Sequence, residues 1–298
     1  MSSALHSSDW VLPAGTAGAD GFDLAVVAGE RDGWSHTSLW TLTLEPGGSR
    51  TVGAEGQELL VVPLSGAVHV TVGDGADAQT FALAGRDDVF AGPTDVAYAP
   101  TGSTVTLTSA GGGRFAVCGA TTDVVLPAAH LPASAVPVEL RGAGQSSRLV
   151  RNLGTVGVLD AGSLIACEVV TPGGNWSSYP AHKHDEESEH ESALEEIYYF
   201  EVQAGPHGQP GLAFHRTSSS PAGAIDVLHE VRDRDTVLVP HGWHGPCTAA
   251  PGHDLYYLNV MAGPGAERAW RITDHPDQTW VRSTWEHQRI DPRLTEGG

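Results

Sequence analysis

Short apolar runs, each closed by glycine or proline, limit what this chain can fold into more than any other feature. Trp40-Thr-Leu-Thr-Leu44, Glu58-Leu-Leu-Val-Val62, Val68-His-Val-Thr-Val72, Thr104–Thr108, Leu164–Val170, Ile197–Val202, Thr236–Val239 and Leu255–Val260 are four to seven residues long and rich in Val, Thr, Leu and aromatics. Turn residues bound each of them. Strands of this length and spacing predict an all-β sandwich or barrel. Helical periodicity is scarce, and the best helical candidate, Ser188–Ala193, is short and polar.

At 298 residues the chain has room for two domains, and its halves share one plan. The first runs strand, Gly47-Gly48 turn, strand, Leu64-Ser-Gly66 turn, strand, then Gly85–Pro93 and Tyr98–Gly102. The second runs strand, Pro172-Gly-Gly174 turn, a histidine-bearing strand, Ile197–Val202, then Arg234–Gly242. This order is expected of a duplicated β-barrel unit. The Ala-, Pro- and Gly-rich segment Pro127–Gly144 lacks strand periodicity and is the expected boundary, with domains at 1–135 and 136–298.

The halves differ in chemistry. In Ser178-Tyr-Pro-Ala-His182-Lys-His184, two histidines stand two residues apart. Alternate side chains of a strand share a face, so both imidazoles point one way and Lys183 points the other. A divalent metal requires such a pair together with a further imidazole and a carboxylate. Glu196 and His244 are the candidates. At the corresponding places the first half has Gly53–Glu58 and Ala99–Ser103, without a histidine set, so it is expected to serve as a structural or oligomer-forming barrel.

Gly174–His184 followed by Glu196 resembles the first motif of the cupins, and Asp235-Thr-Val-Leu-Val-Pro240-His-Gly242-Trp-His244 resembles the second. Two departures stand out. The gap from His184 to Glu196 is long, making Asp185–Ala193 an inserted loop, and the last histidine follows its glycine by two positions rather than three. Both departures resemble those of the 5-deoxy-glucuronate isomerase family of myo-inositol catabolism. So do Thr171–Pro180, Leu194–Phe200, Tyr256–Pro264, Phe90–Asp95, Thr279–Trp285 and Asp291–Leu294, which together span nearly the whole chain. That family is related to the uronate isomerase of pectin breakdown, a similar bicupin with a bound zinc.

The resemblance implies an all-β bicupin, two tandem double-stranded β-helix (jelly-roll) barrels, with one divalent metal ion in the second. It implies His182, His184, Glu196 and His244 as ligands; the family's Glu-Ile-Tyr pattern favours Glu196 over Glu195. It also implies conversion of 5-deoxy-D-glucuronate to 2-deoxy-5-keto-D-gluconate, an aldose–ketose isomerisation. Four protein ligands leave two positions on an octahedral ion for a bidentate substrate. The ligand types accept Zn, Mn, Fe, Co or Ni. Tyr198, on the face of Glu196, and Tyr257 are the candidates for moving the proton, and a hydride shift stays open. A substrate carboxylate calls for arginine, and Arg148 and Arg151 are the candidates. His241, beside Pro240, is divided between a loop-surface role and a substrate-binding one. The competing functions are a cupin dioxygenase with the same three histidines and glutamate, and a non-catalytic sugar-binding bicupin.

Thirty-six acidic against 16 basic residues give a net charge of −20, which argues against nucleic acid and anionic membrane as partners. A small sugar acid and a homo-oligomer, at least a dimer, are expected instead. The acidic run Asp185–Glu201 reads as a solvated loop, with a lid over the barrel mouth as the alternative. His190, His207, His215, His229 and His253 are expected at the surface. Cys118, Cys167 and Cys247 are expected to be reduced and buried, although Cys247, three residues after His244, could approach the metal. Met1–His6 has no basic start or apolar core of a signal peptide, and no run reaches transmembrane length, so a soluble cytoplasmic protein is expected.

Overall fold

Glu58–Val62 and Val68–Val72 are the two ends of a single 16-residue strand, Gln57–Val72, in the computed structural model, which describes residues 9–53 and 55–295. The stretch Met1–His6 lies outside the described residues. No turn forms at Leu64-Ser-Gly66. The strand register shifts at Pro63/Ser65 and again at Gly66/Val68, a bulge that carries the strand from one barrel layer into the other. Gly66 adopts φ +82°, and a Cβ there would lie 2.5 Å from the Gly112 carbonyl oxygen, so only glycine fits this corner.

Two barrels result. The inner layer of the first holds Val96–Ala99, the leading part of Gln57–Val72, Gly113–Thr121, Thr37–Leu44 and Leu24–Val26. Its outer layer holds Gly48–Gly53, Thr104–Ser109, Gln79–Arg86 and the rest of the long strand. The second barrel has a seven-stranded sheet built on Thr236–Val239, Glu195–Val202, Leu255–Ala262, Ile165–Thr171, Arg148–Asn152 and Val138–Arg141. Facing it is a six-stranded sheet of Gly223–Val231, Ala213–Ser220, Trp243–Ala249, His182–Lys183 and Thr273–Asp274, joined by Trp176–Ser177. The seventh strand of the larger sheet is Val11–Leu12, which crosses from the N-terminus to pair with Thr236–Val239. Part of the sequence assigned above to the first domain thus completes the second barrel.

Alternation explains the layering. Leu59, Val61, Ala97 and Val117 point into the first barrel. Their neighbours Leu60, Val62, Ala116 and Cys118 point outward and share a core with the second barrel. The two large sheets therefore pack face to face, and strands buried on both sides read as unbroken apolar runs. Ser188–Ala193 forms no helix. Its serines and glutamates bond the local backbone instead, as when Ser188 Oγ accepts from the Glu191 amide at 3.0 Å. Helical turns occur near the C-terminus, at Val281–Thr284 and around it.

Several polar groups cross the barrel interface. Glu58 accepts from the amides of Gly162, Ser163 and Leu164 at 2.6–2.7 Å and from the Tyr98 hydroxyl at 2.6 Å. Glu195 mirrors it, accepting from Ser35, His36 and Thr37. Arg114 forks onto Glu201 at 2.7 and 2.8 Å. The fully buried Glu168 takes both guanidinium arms of Arg86 and the Tyr256 hydroxyl, with Arg151 at 3.5 Å. No helix among the described residues is long and apolar enough to cross a membrane.

Candidate metal centre

The second barrel's strands bring three histidines and one glutamate together. His182 and His244 are direct cross-strand partners, with ring centroids 4.5 Å apart. His184 lies 4.6 Å from His244 by the same measure. Ligand atoms of all three lie within 4.8 Å of one another. Opposite them, strand Glu195–Val202 turns Glu196, Tyr198 and Phe200 inward. Glu196 Oε2 lies 2.9 Å from His184 Nε2 and 3.1 Å from His244 Nε2. Glu195 faces the other way, onto the first barrel's amides.

Hydrogen bonding fixes the tautomers. His184 Nδ1 lies 3.1 Å from the Leu194 carbonyl oxygen, and His244 Nδ1 lies 3.0 Å from that of Gly242. A carbonyl only accepts, so both Nδ1 atoms carry a hydrogen and both Nε2 atoms turn inward toward Glu196. His244 Nε2 is buried without a hydrogen-bond partner, off the line a bond to Glu196 requires. An imidazole nitrogen meets a carboxylate oxygen through a proton or a cation: against the effect of burial, Glu196 raises the His184 pKa, and a divalent ion would take that proton's place. The donor set therefore fits a cation, which the His184, His244 and Glu196 atoms would surround and His182 would complete.

The electrostatics agree. Burial, reinforced by the neighbouring His244 and His184, drives His182 well below the ordinary imidazole pKa, so it presents a neutral ring. Burial works against the charge of Glu196, yet the His184 and His244 imidazoles hold it below the usual carboxylate range. Among the described residues, His182, His184 and His244 are the one group of three or more His, Cys, Asp or Glu side chains whose ligand atoms all lie within 4.8 Å of one another.

A cavity of about 250 Å³ opens onto His182 and Glu196. Tyr198, Tyr257, Ser178 and Arg148 line it as well. Ser178 Oγ lies 3.3 Å from the Tyr198 hydroxyl and 3.2 Å from that of Tyr257. Burial pushes Tyr257 above the ordinary phenol range, so its hydroxyl keeps its proton.

Two of the expected site residues, Arg151 and His241, lie away from the cavity. Arg151 is three residues from Arg148 on one strand, and an odd separation turns the two side chains to opposite faces. Arg151 reaches the interface, donating to the Val89 carbonyl at 2.9 Å. His241 packs over Gly223, where a Cβ would meet its Nε2 at 2.6 Å, and does not line the cavity. Lys183 faces outward but is not solvated: it bonds Asp185 at 2.8 Å and Glu191 at 2.6 Å. Asp185 in turn receives Ser220 Oγ at 2.5 Å and the Gly242 amide at 2.8 Å. The start of the acidic loop is thereby fastened to the outside of the histidine strands.

His215, expected at the surface, is fully buried. Its ring lies 4.9 Å from Tyr198, its Nε2 is 2.9 Å from Thr217 Oγ1 and its Nδ1 is 3.2 Å from Cys247 Sγ. Cys247 is thus engaged by His215. Burial, with the nearby His244, lowers the His215 pKa to about 3. A histidine held neutral in the fold but ordinary when unfolded gives stability that is complete above ~6.5 and is lost as pH falls towards the folded value. Unfolding free energy of metal-free protein is therefore expected to decline from pH 6.5 to 4.5, before most carboxylates titrate. His215→Leu should make that segment shallower, the remaining decline belonging to His182, which is likewise held neutral, as read by urea melts at stepped pH; an unchanged slope would refute the assignment.

Comparison with known proteins gives consistent relatives. The model of the KduI/IolB family matches residues 12–281. A 5-deoxy-glucuronate isomerase of Geobacillus kaustophilus (strain HTA426) is 36% identical over 274 residues, covering 91% of this chain and 94% of that protein. Among solved structures, an IolB-like protein from Salmonella typhimurium LT2 superposes with a TM-score of 0.80 at 31% identity, over 91% of this chain and 98% of the other. An oxalate decarboxylase of Lactobacillus farciminis shares the fold, with a TM-score of 0.58 at 14% identity over 91% and 90% of the two chains. The architecture is that of a bicupin.

Proposed function

The chain belongs to the KduI/IolB family, and from that premise we propose that it is the metal-dependent isomerase that converts 5-deoxy-D-glucuronate to 2-deoxy-5-keto-D-gluconate in myo-inositol catabolism. The observation that carries the metal dependence is the convergence of the His184 and His244 Nε2 atoms on a single Glu196 oxygen, with His182 beside them. His182, His184, Glu196 and His244 would hold one divalent ion; Zn, Mn, Fe, Co and Ni all suit the donors. Such an ion, when bound, supplies Lewis-acid polarisation of the sugar's carbonyl and adjacent hydroxyl oxygens.

The remaining work falls to the chain's own side chains. An aldose–ketose isomerisation moves a proton from the hydroxyl-bearing carbon to the neighbouring carbonyl carbon, and the hydroxyl proton to the former carbonyl oxygen, while negative charge builds on the two oxygens these carbons bear. Tyr198 and Tyr257 point their hydroxyls into the cavity that reaches Glu196 and His182. With its proton retained, the Tyr257 hydroxyl donates to a substrate oxygen as charge develops there, and Ser178 orients both phenols. Arg148 lies on the same cavity wall and suits the substrate carboxylate. Arg151 and His241 do not reach this cavity and take no part in the reading.

Tyr257→Phe is expected to lower kcat by about 10²- to 10³-fold, with KM changed much less, because the donated bond strengthens only as charge develops. A KM effect without a kcat effect would place Tyr257 in binding alone. The activity itself is tested by following 5-deoxy-D-glucuronate by proton NMR beside an oxygen electrode. Aldehyde-derived signals should be replaced by those of the ketose without oxygen uptake. Oxygen consumed in proportion to substrate would point to a dioxygenase, and an unaltered spectrum would leave a binding protein.

A further inference from the structure

In a chain with 16 basic residues and a net charge of −20, three arginines line one cavity. Arg141 and Arg148 are direct cross-strand partners, a placement in which like charges repel. Arg282 comes from the short helix Val281–Thr284 near the C-terminus. The Trp285 ring of the same segment lies under both Arg148 and Arg282, 5.4 Å from each guanidinium carbon.

Two of the three cations are already neutralised. Arg141 forks onto Glu139 at 3.0 and 2.7 Å. Arg282 forks onto Asp274 through Nε and, at 2.7 Å, through Nη2. Arg148 is different: it is 6% exposed, and its side chain makes one hydrogen bond, from Nη1 to the Ser146 carbonyl at 2.9 Å. No carboxylate lies within ion-pair distance of it among the described residues. Gly142, at φ +78°, lets the backbone approach so closely that a Cβ would stand 2.6 Å from Arg148 Nη1. Three guanidinium groups less two carboxylates leave one positive charge on the wall, buried and uncompensated. An unpaired buried cation is costly to keep, and burial together with the neighbouring Arg141 and Arg282 lowers the Arg148 pKa to about 10.

We propose that Arg148, flanked by Arg141 and Arg282, forms a monoanion subsite that receives the carboxylate of the sugar acid and makes the enzyme select acids over neutral aldoses. The wall lines the same cavity as His182 and Glu196, so the acid is held with its carboxylate on the arginines and its carbonyl end toward the histidine cluster. Arg282 ties selectivity to the C-terminal segment, which is anchored by Gln278 Oε1 accepting from the Ala181 amide at 2.7 Å. This inference rests on reading the site as one for a sugar acid.

Gluconate separates the two ideas, since it carries the carboxylate but no carbonyl to isomerise. Calorimetry should show gluconate binding to wild-type protein and a loss of affinity on the order of 10- to 100-fold in Arg148→Met, with a smaller loss in Arg148→Lys and in Arg282→Met. Arg148→Met should melt no lower than wild type, because it removes a lone buried charge. In turnover, KM for 5-deoxy-D-glucuronate should rise with kcat changed less, and KM for 5-deoxy-D-glucose should stay put. Equal gluconate affinity in a folded Arg148→Met protein would overturn the proposal, as would an equal rise in KM for the neutral sugar. Gluconate binding that depends on Arg148 in a protein without isomerase activity would uphold the subsite and sink the isomerase reading instead.

Discussion

His182→Ala is expected to abolish turnover, by about 10³-fold or more, while the protein stays folded. The loss of Lewis-acid polarisation is worth several kcal/mol of barrier, and each ~1.4 kcal/mol is tenfold in rate. His182 borders the cavity, and burial, reinforced by His244 and His184, already keeps its ring neutral. Removing it therefore opens space beside an existing cavity and leaves the rest of the barrel core as it was. Circular dichroism and the melting midpoint of the metal-free variant should match those of the metal-free wild type. A variant with near-normal kcat would remove the histidine cluster from the mechanism.

Glu168→Gln is expected to produce the largest change in stability. Glu168 is fully buried between the barrels and holds Arg86, Arg151 and the Tyr256 hydroxyl. Burial alone would raise its pKa, but the charge and hydrogen bonds of Arg86 prevail and lower it. The neutral amide leaves two guanidinium groups buried without their counter-charge, a loss of ~3–5 kcal/mol. For a chain of this size that is a fall in melting temperature on the order of 10 °C. Adding Arg86→Met to a Glu168→Leu background should restore part of it, since a packed apolar pair has no charge to desolvate. A shift of under about 2 °C for Glu168→Gln would mean that water, rather than Glu168, solvates Arg86.

The strands were legible wherever apolar runs stood between turn residues, and the histidine pair was legible because a spacing of two places both rings on one strand face. What escaped did so for physical reasons. Strand Ala213–Ser220 carries Phe-His-Arg-Thr-Ser-Ser-Ser after its first residue, too polar to read as a strand, so its sequence suggests a surface place for His215 although that ring is fully buried. Glu58 and Glu195 look alike in sequence to any carboxylate at the start of a strand. Their shared task, accepting amides from the opposite barrel, depends on how two sheets dock. Arg148 and Arg151 share one strand at an odd separation, so alternation turns Arg148 to the cavity and Arg151 to the interface. Arg282 lines the cavity, and Trp285 lies against its guanidinium, from a segment far along the chain from the histidines, beyond the reach of any local pattern.

The measurement that bears most directly on the central claim couples metal content to rate. Wild-type protein is assayed as purified, after exhaustive chelation, and after titration with single divalent metals, beside a His182→Ala/His244→Ala variant. Isomerase activity should vanish with the metal, return in proportion to about one ion per chain, and never appear in the variant, which should bind none. Full activity in protein shown by elemental analysis to be free of metal would contradict it.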